Sequence, residues 1–89
     1  MSLELVASLG WSKTRKGEIT KEFEFEGFKQ AMDFVNRIAD IANEINHHPD
    51  ILVTYNRVKV TTITHDEDRL TGKDYDLAAI ITRIYFKMK

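Results

Sequence analysis

Residues 28–65 read FKQAMDFVNRIADIANEINHHPDILVTYNRVKVTTITH, and a change of period inside this stretch decides the fold class. In its first half Phe28, Ala31, Met32, Val35, Ile38, Ala39, Ala42 and Ile45 follow the i, i+3, i+4, i+7 rule of a helix with one apolar face. The spacing predicts an amphipathic helix over 28–45, about five turns long. Asn46 tolerates the left-handed conformation that ends helices, and Pro49 forces His48 into an extended one. The helix therefore stops where the histidines begin. Ile51–Tyr55 and Val58–His65 are then β-branched and aromatic runs. They are joined by Asn56-Arg57 at the two-residue spacing of a tight hairpin, although Arg57 is not the glycine preferred at the second turn position. On the second run Val58, Val60, Thr62 and Thr64 share one face, and Lys59, Thr61, Ile63 and His65 share the other.

Working outward, Ile19, Lys21, Phe23 and Phe25 alternate with period two, and Gly17 separates this run from Lys13–Lys16. That pattern predicts a hairpin, or at least one good strand, with its charged lysines and glutamates on the solvent side. Before it, Leu3, Leu5, Val6 and Leu9 suggest a short helix or arm over Ser2–Leu9, with Ser2 as N-cap and Gly10 as its end. Beyond the polar loop Asp66–Leu70, Thr71-Gly72-Lys73-Asp74 resembles a capping box. It would open a helix through Phe86 with Leu77, Ala78, Ile81, Ile84 and Tyr85 inward. Hairpins separated by single helices predict an α+β fold in β-β-α-β-β-α order. One four-stranded antiparallel sheet would carry the helices on one face, in a single domain over 1–89.

Thirteen Lys plus Arg against fourteen Asp plus Glu give a net charge of −1, leaving no cationic excess to neutralise a phosphate backbone. A general nucleic-acid binder is not expected. The absence of cysteine excludes disulfides, thiolate zinc sites, iron–sulfur clusters and cysteine nucleophiles. Hydrophobic content of 43% against 30% charged residues argues for a packed core over a disordered chain. With no signal-peptide pattern and no long apolar run, the expectation is a cytoplasmic protein without a membrane partner. A chain this short buries about 64% of its extended surface, a thin core that self-association would reinforce.

The three histidines carry the candidate chemistry. His47 and His48 sit at a helix end and His65 at a strand end, where pockets are commonly built. An imidazole both gives and accepts protons near neutrality, which suits general acid–base work. The structural alternative is that two histidines at a helix C-terminus complement its dipole or cap its carbonyls. A three-histidine zinc site is a weaker reading, because adjacent His47 and His48 diverge in an extended segment and no fourth ligand is suitably spaced. Asp74 fits either a helix cap or a catalytic carboxylate, and Trp11 either a packing residue or an aromatic plate at a pocket rim. Asp40 and Glu44 belong to the solvated side or rim of the long helix.

His47-His48-Pro49, five residues, Tyr55, nine residues, His65, eight residues and Asp74 together resemble the signature of the pterin-4a-carbinolamine dehydratases. The resemblance runs through Gly10-Trp11, Phe23-Glu24-Phe25, Phe28 with Ala31, Tyr55-Asn56 and Leu77-Ala78. In that family an acidic residue usually stands four positions before the first histidine. Here Asn43 stands there, able to hydrogen-bond but not to supply charge, and Glu44 lies one residue on, about 100° around the helix.

The resemblance implies a lyase that needs neither cofactor nor metal, since a proton activates the leaving hydroxyl. Its substrate would be a small pterin, dehydrated from the 4a-carbinolamine to quinonoid dihydropterin. By the same resemblance His47 and His65 flank the 4a carbon, one of them as acid, while His48 orients the pterin and contributes to proton transfer. Asp74 would fix the loop after His65, Pro49, Thr64, Asp66 and Glu67 would line the pterin edge, and Trp11 would form a wall. The family forms dimers or tetramers, so a homodimer or homotetramer is expected. It also supplies the alternative of a non-catalytic partner protein, as dimerisation cofactor of a transcription factor or as assembly chaperone.

Overall fold

The computed structural model describes residues 3–89, so the expected N-cap at Ser2 lies outside the described residues. In chain order the elements are α1 (Leu3–Ser8), β1 (Ser12–Lys13), β2 (Ile19–Glu24), α2 (Phe28–Ile45), β3 (Asp50–Val53), β4 (Arg57–Thr62) and α3 (Gly72–Met88). The strands form one antiparallel sheet in the order β1-β2-β4-β3, as the β-β-α-β-β-α reading requires.

α2 has the bounds its periodicity predicts. It ends because Asn46 adopts φ 54° and ψ 45°, sending its N–H back to the Ala42 carbonyl. The buried line on α2 is Ala31, Phe34, Ile38 and Ala42. Phe34 was not among the residues expected inward, whereas Met32 is half-buried and Ala39 exposed. At 100° per residue, Met32 and Ala39 fall on the flank of the stripe that Phe34 completes. Phe28 and Ile45 share the stripe but stand at its ends, 51% and 40% exposed.

Register explains which strand residues meet the helices. Phe23 pairs with Val58, Lys21 with Val60 and Ile19 with Thr62, while Ile51 and Val53 of β3 oppose Val60 and Val58. Side chains paired in this way project to one face, and Ile19, Phe23, Val58, Val60 and Thr62 are all buried there. Lys21 belongs to this inner face, not to the solvent side with the glutamates. Its stem lies along the apolar surface and its ammonium stands 5.2 Å from the centroid of the Phe23 ring. At the end of α1 Gly10 takes φ +100°, which an L side chain rarely adopts, and turns the chain into Trp11.

The second hairpin turns at Tyr55-Asn56, one residue before the expected Asn56-Arg57. Thr54 N–H bonds the Arg57 carbonyl at 2.9 Å. Arg57 is drawn into β4, where its guanidinium reaches Glu22 and Glu24 of β2 at 3.5 and 3.3 Å. β4 also stops at Thr62 and does not continue to His65. Its pairing ends at Ile19 on β2 and at Asp50 on β3, so Ile63, Thr64 and His65 have no neighbouring strand to join. Only an isolated bridge between Thr64 and Arg69 follows, closing the loop.

α3 opens with the expected capping box and runs to Met88, beyond the expected Phe86. Leu77, Ala78, Ile81 and Thr82 are buried, with Ile84 and Tyr85 partly so. Trp11 is 2% exposed inside this core. Its indole N–H donates to Thr82 Oγ1 at 2.8 Å, and its ring meets Phe23 edge-on. Among the described residues no helix is long and apolar enough to cross a membrane.

Candidate active site

Three segments converge at one end of the sheet. The left-handed Asn46 releases His47 and His48 from α2. The unpaired end of the β4 run supplies Thr64, His65 and Asp66, and the first turn of α3 supplies Lys73 and Asp74. Together they enclose a cavity of about 290 Å³ lined by all three histidines, with Asn46, Ile63, Thr64, Asp66 and Lys73 completing the wall. A second, more apolar concavity of about 380 Å³ shares His47 and Lys73 with it and continues over Ile45, Ala79 and Ile80.

Asp74 is the centre of the polar network although its side chain is fully buried. Its Oδ1 receives the Thr62 hydroxyl at 2.7 Å and stands 2.7 Å from His47 Nε2. Its Oδ2 receives the Thr64 hydroxyl at 2.7 Å and the Thr71 backbone N–H at 3.0 Å. An ionised carboxylate has about four acceptor positions, so this one is saturated. Burial by itself pushes the Asp74 carboxyl up. The hydrogen bonds from Thr62, His47, Thr64 and the Thr71 backbone outweigh that push and hold it below the ordinary carboxylate value. The capping box and the Asp74–His47 contact are thus one structure: the carboxylate caps α3, as the motif implies, and also bonds His47. By holding Thr64 and Thr71 it also pins the two ends of the loop that carries His65.

His47 and His48 diverge, as adjacent residues in an extended segment do. His47 is 11% exposed and bonded to Asp74. His48 is exposed and turns back to α2, where its Nε2 lies 3.0 Å from Asn43 Oδ1. Asn43 therefore orients His48 without giving it a charge. Among the described residues no group of three or more His, Cys, Asp or Glu side chains is gathered tightly enough to hold a metal ion.

Of the residues expected at the pterin edge, Thr64 and Asp66 line the histidine cavity. Trp11, Pro49 and Glu67 do not. Trp11 is committed to Thr82 and the core, so the expected wall at that position is absent. Pro49 sets the conformation of His48 and leads into β3, and Glu67 is exposed and paired with Arg69. Three contributors were not anticipated in these roles: Thr62, Thr71 and Lys73. The signal for Thr62 was present in the sequence, because a hydroxyl on the inward face of an apolar strand requires a buried partner. Lys73 carried no such signal.

Comparison with known proteins bears on the family and the fold. A family model described as pterin 4 alpha carbinolamine dehydratase matches residues 2–84. A protein of Herpetosiphon aurantiacus is 47% identical over 76 residues, covering 85% of this chain and 78% of its own length. One from Saccharolobus islandicus is 46% identical over 88 residues, covering 98% and 88%. Both names assign those proteins provisionally as pterin-4-alpha-carbinolamine dehydratases. Among solved structures, a transcriptional coactivator/pterin dehydratase from Brucella melitensis superposes with a TM-score of 0.83 at 31% identity, covering 96% of this chain and 97% of that one. A pterin dehydratase-like protein identified as a RuBisCO assembly factor in the alpha-carboxysome shares the fold, with a TM-score of 0.73 at 21% identity over 84% and 88% of the two chains.

Proposed function

The chain belongs to the pterin-4a-carbinolamine dehydratase family, and from that membership we propose that it dehydrates 4a-hydroxytetrahydropterin to quinonoid dihydropterin, in tetrahydropterin recycling. The observation that carries the proposal is the gathering of His47, His48 and His65 around one cavity, with His47 held by a buried, ionised Asp74.

The reaction breaks the C4a–O bond and the N5–H bond and leaves a new C4a=N5 double bond. An acid gives its proton to the departing hydroxyl, which leaves as water. A base takes the N5 proton, so the protein ends with the same number of protons as it began. His47 and His65 are assigned to these two transfers across the 4a carbon, and His48, steadied by Asn43, orients the ring. Asp66 offers hydrogen-bond acceptors to the polar edge of a pterin in the same cavity, whereas Thr64 lines the cavity with its hydroxyl committed to Asp74 and Thr71. No step in this scheme uses a metal or a further cofactor.

The test is direct. The substrate is generated in place by a pterin-dependent hydroxylase, and the appearance of the quinonoid product is followed with and without this protein. Acceleration proportional to protein concentration supports the lyase. A folded protein that gives no acceleration refutes it, and co-purification of a stoichiometric protein partner would then favour the interaction role.

A further inference from the structure

The buried hydroxyls around Asp74 do more than fill space. Each threonine hydroxyl has one proton to give, and the distances fix where each goes. Thr62 gives its proton to Asp74 Oδ1 and Thr64 gives its proton to Oδ2, both at 2.7 Å. Thr64 and Thr71 hydroxyls stand 2.6 Å apart, so with the Thr64 proton spent, Thr71 is the donor between them. Thr71 in turn accepts the Lys73 backbone N–H at 3.3 Å. The remaining acceptor position on Asp74 faces His47 Nε2 at 2.7 Å, and a carboxylate can only accept, so Nε2 carries a proton. The Thr62 oxygen, its own proton given away, lies 3.3 Å from the same Nε2 and meets that N–H as a second acceptor.

We propose that Thr62, Thr64 and Thr71 are positioning residues for His47: by occupying Asp74 with fixed donors they lock the imidazole as its Nε2–H form and leave Nδ1 as the atom that exchanges protons with the substrate. The chemical consequence rests on the dehydratase reading, whereas the locking itself does not. The sequence has joined a helix cap to an acid–base group: the Thr71 hydroxyl that caps α3 also begins the chain of donors that runs through Thr64 to Asp74, the carboxylate that accepts from His47. The other titratable groups around the pair are His48 from the end of α2, His65 and Asp66 after β4, and Lys73 and Asp76 from α3.

The test uses Thr62→Val and Thr64→Val, which keep shape and remove one donor each, beside Thr62→Ser and Thr64→Ser, which keep the donor. Two readouts are compared: the pH profile of kcat/KM, and the His47 ring-nitrogen and Nε2–H resonances in 15N-labelled protein without ligand. In the wild type His47 is expected to show a protected Nε2–H. The valine variants should weaken that protection and lower kcat/KM by roughly ten- to a hundredfold, the effect of losing a hydrogen bond to a charged group. The acid limb of the profile should move to higher pH, since a carboxylate with fewer donors is protonated more easily. The serine variants should recover both readouts. Should one valine variant fail to fold, the other decides.

A wild-type His47 that carries its proton on Nδ1 and none on Nε2, or folded valine variants with unchanged resonances and profile, would overturn the proposal. If the wild type proves inactive as a dehydratase, the ring resonances still decide: protection that is lost in the valine variants supports the locking, and protection that is unaffected overturns it.

Discussion

Replacing Asp74 by Asn should destabilise the fold by an amount that depends on pH in a defined direction. The amide keeps one acceptor oxygen and puts an NH2 where the other was. If that NH2 takes the Oδ2 position it opposes the Thr71 backbone N–H, which has no alternative role. If it takes the Oδ1 position it faces Thr62, which can rotate, and His47, which can move its proton to Nδ1. The second orientation costs less, but it still exchanges charge-assisted bonds for neutral ones. With each such bond contributing about 1.5–3 kcal/mol and half of them partly retained, the expected loss near neutrality is about 2–4 kcal/mol. In a domain of this size that lowers the midpoint of thermal unfolding by roughly 10–25 °C. The folded-state value of the Asp74 carboxyl lies below its unfolded one. Its contribution is therefore complete above the unfolded value, near 4, and is lost as the pH falls through the folded value. Urea unfolding of wild type and Asp74→Asn at a series of pH values between 7 and 3 measures this. The gap between the two proteins should be constant from pH 7 to about 5 and then close as the pH falls further. A gap that stays constant down to pH 3, or no gap at neutrality, would refute the network as described.

Other consequences follow from the same geometry. Phe34→Ala, which empties the centre of the aromatic cluster of Phe23, Phe25, Phe34 and Tyr85, should cost about 3–5 kcal/mol in denaturant unfolding. Trp11→Phe removes the indole bond to Thr82 and should cost about 1–2 kcal/mol while leaving KM within about twofold, because Trp11 lies in the core and not at the cavity. A large rise in KM would return Trp11 to the site. For assembly, the expectation is a homodimer or homotetramer at micromolar concentration, and a monomer by light scattering would refute it.

Much of the fold was legible because it rests on local rules. The period of 28–45, the stop at Asn46 and Pro49, and the capping box at Thr71 each depend on neighbours within a few residues, and each stands where the sequence implies. What was not legible depends on distant partners. β4 ends at Thr62 because β2 and β3 end opposite it, and Arg57 enters the strand because Glu22 and Glu24 wait across the sheet. Lys21 is inward because strand alternation overrides its charge once its stem can lie on Phe23. The site divides in the same way. The three histidines are recognisable by residue type and position, and the cap at Asp74 by its motif. The bond between Asp74 and His47 spans 27 residues and requires the α2 terminus to meet the first turn of α3, which no local pattern encodes.

The central claim is that the histidine cavity performs the dehydration, and its most direct test is the rate of 4a-carbinolamine loss for the wild type beside His47→Ala and His65→Ala. The account predicts a clear acceleration by the wild type and a loss of roughly 10²–10⁴-fold in kcat for each variant, with both variants folded. A drop smaller than about tenfold at both positions would contradict it, because a general acid or base cannot be removed so cheaply.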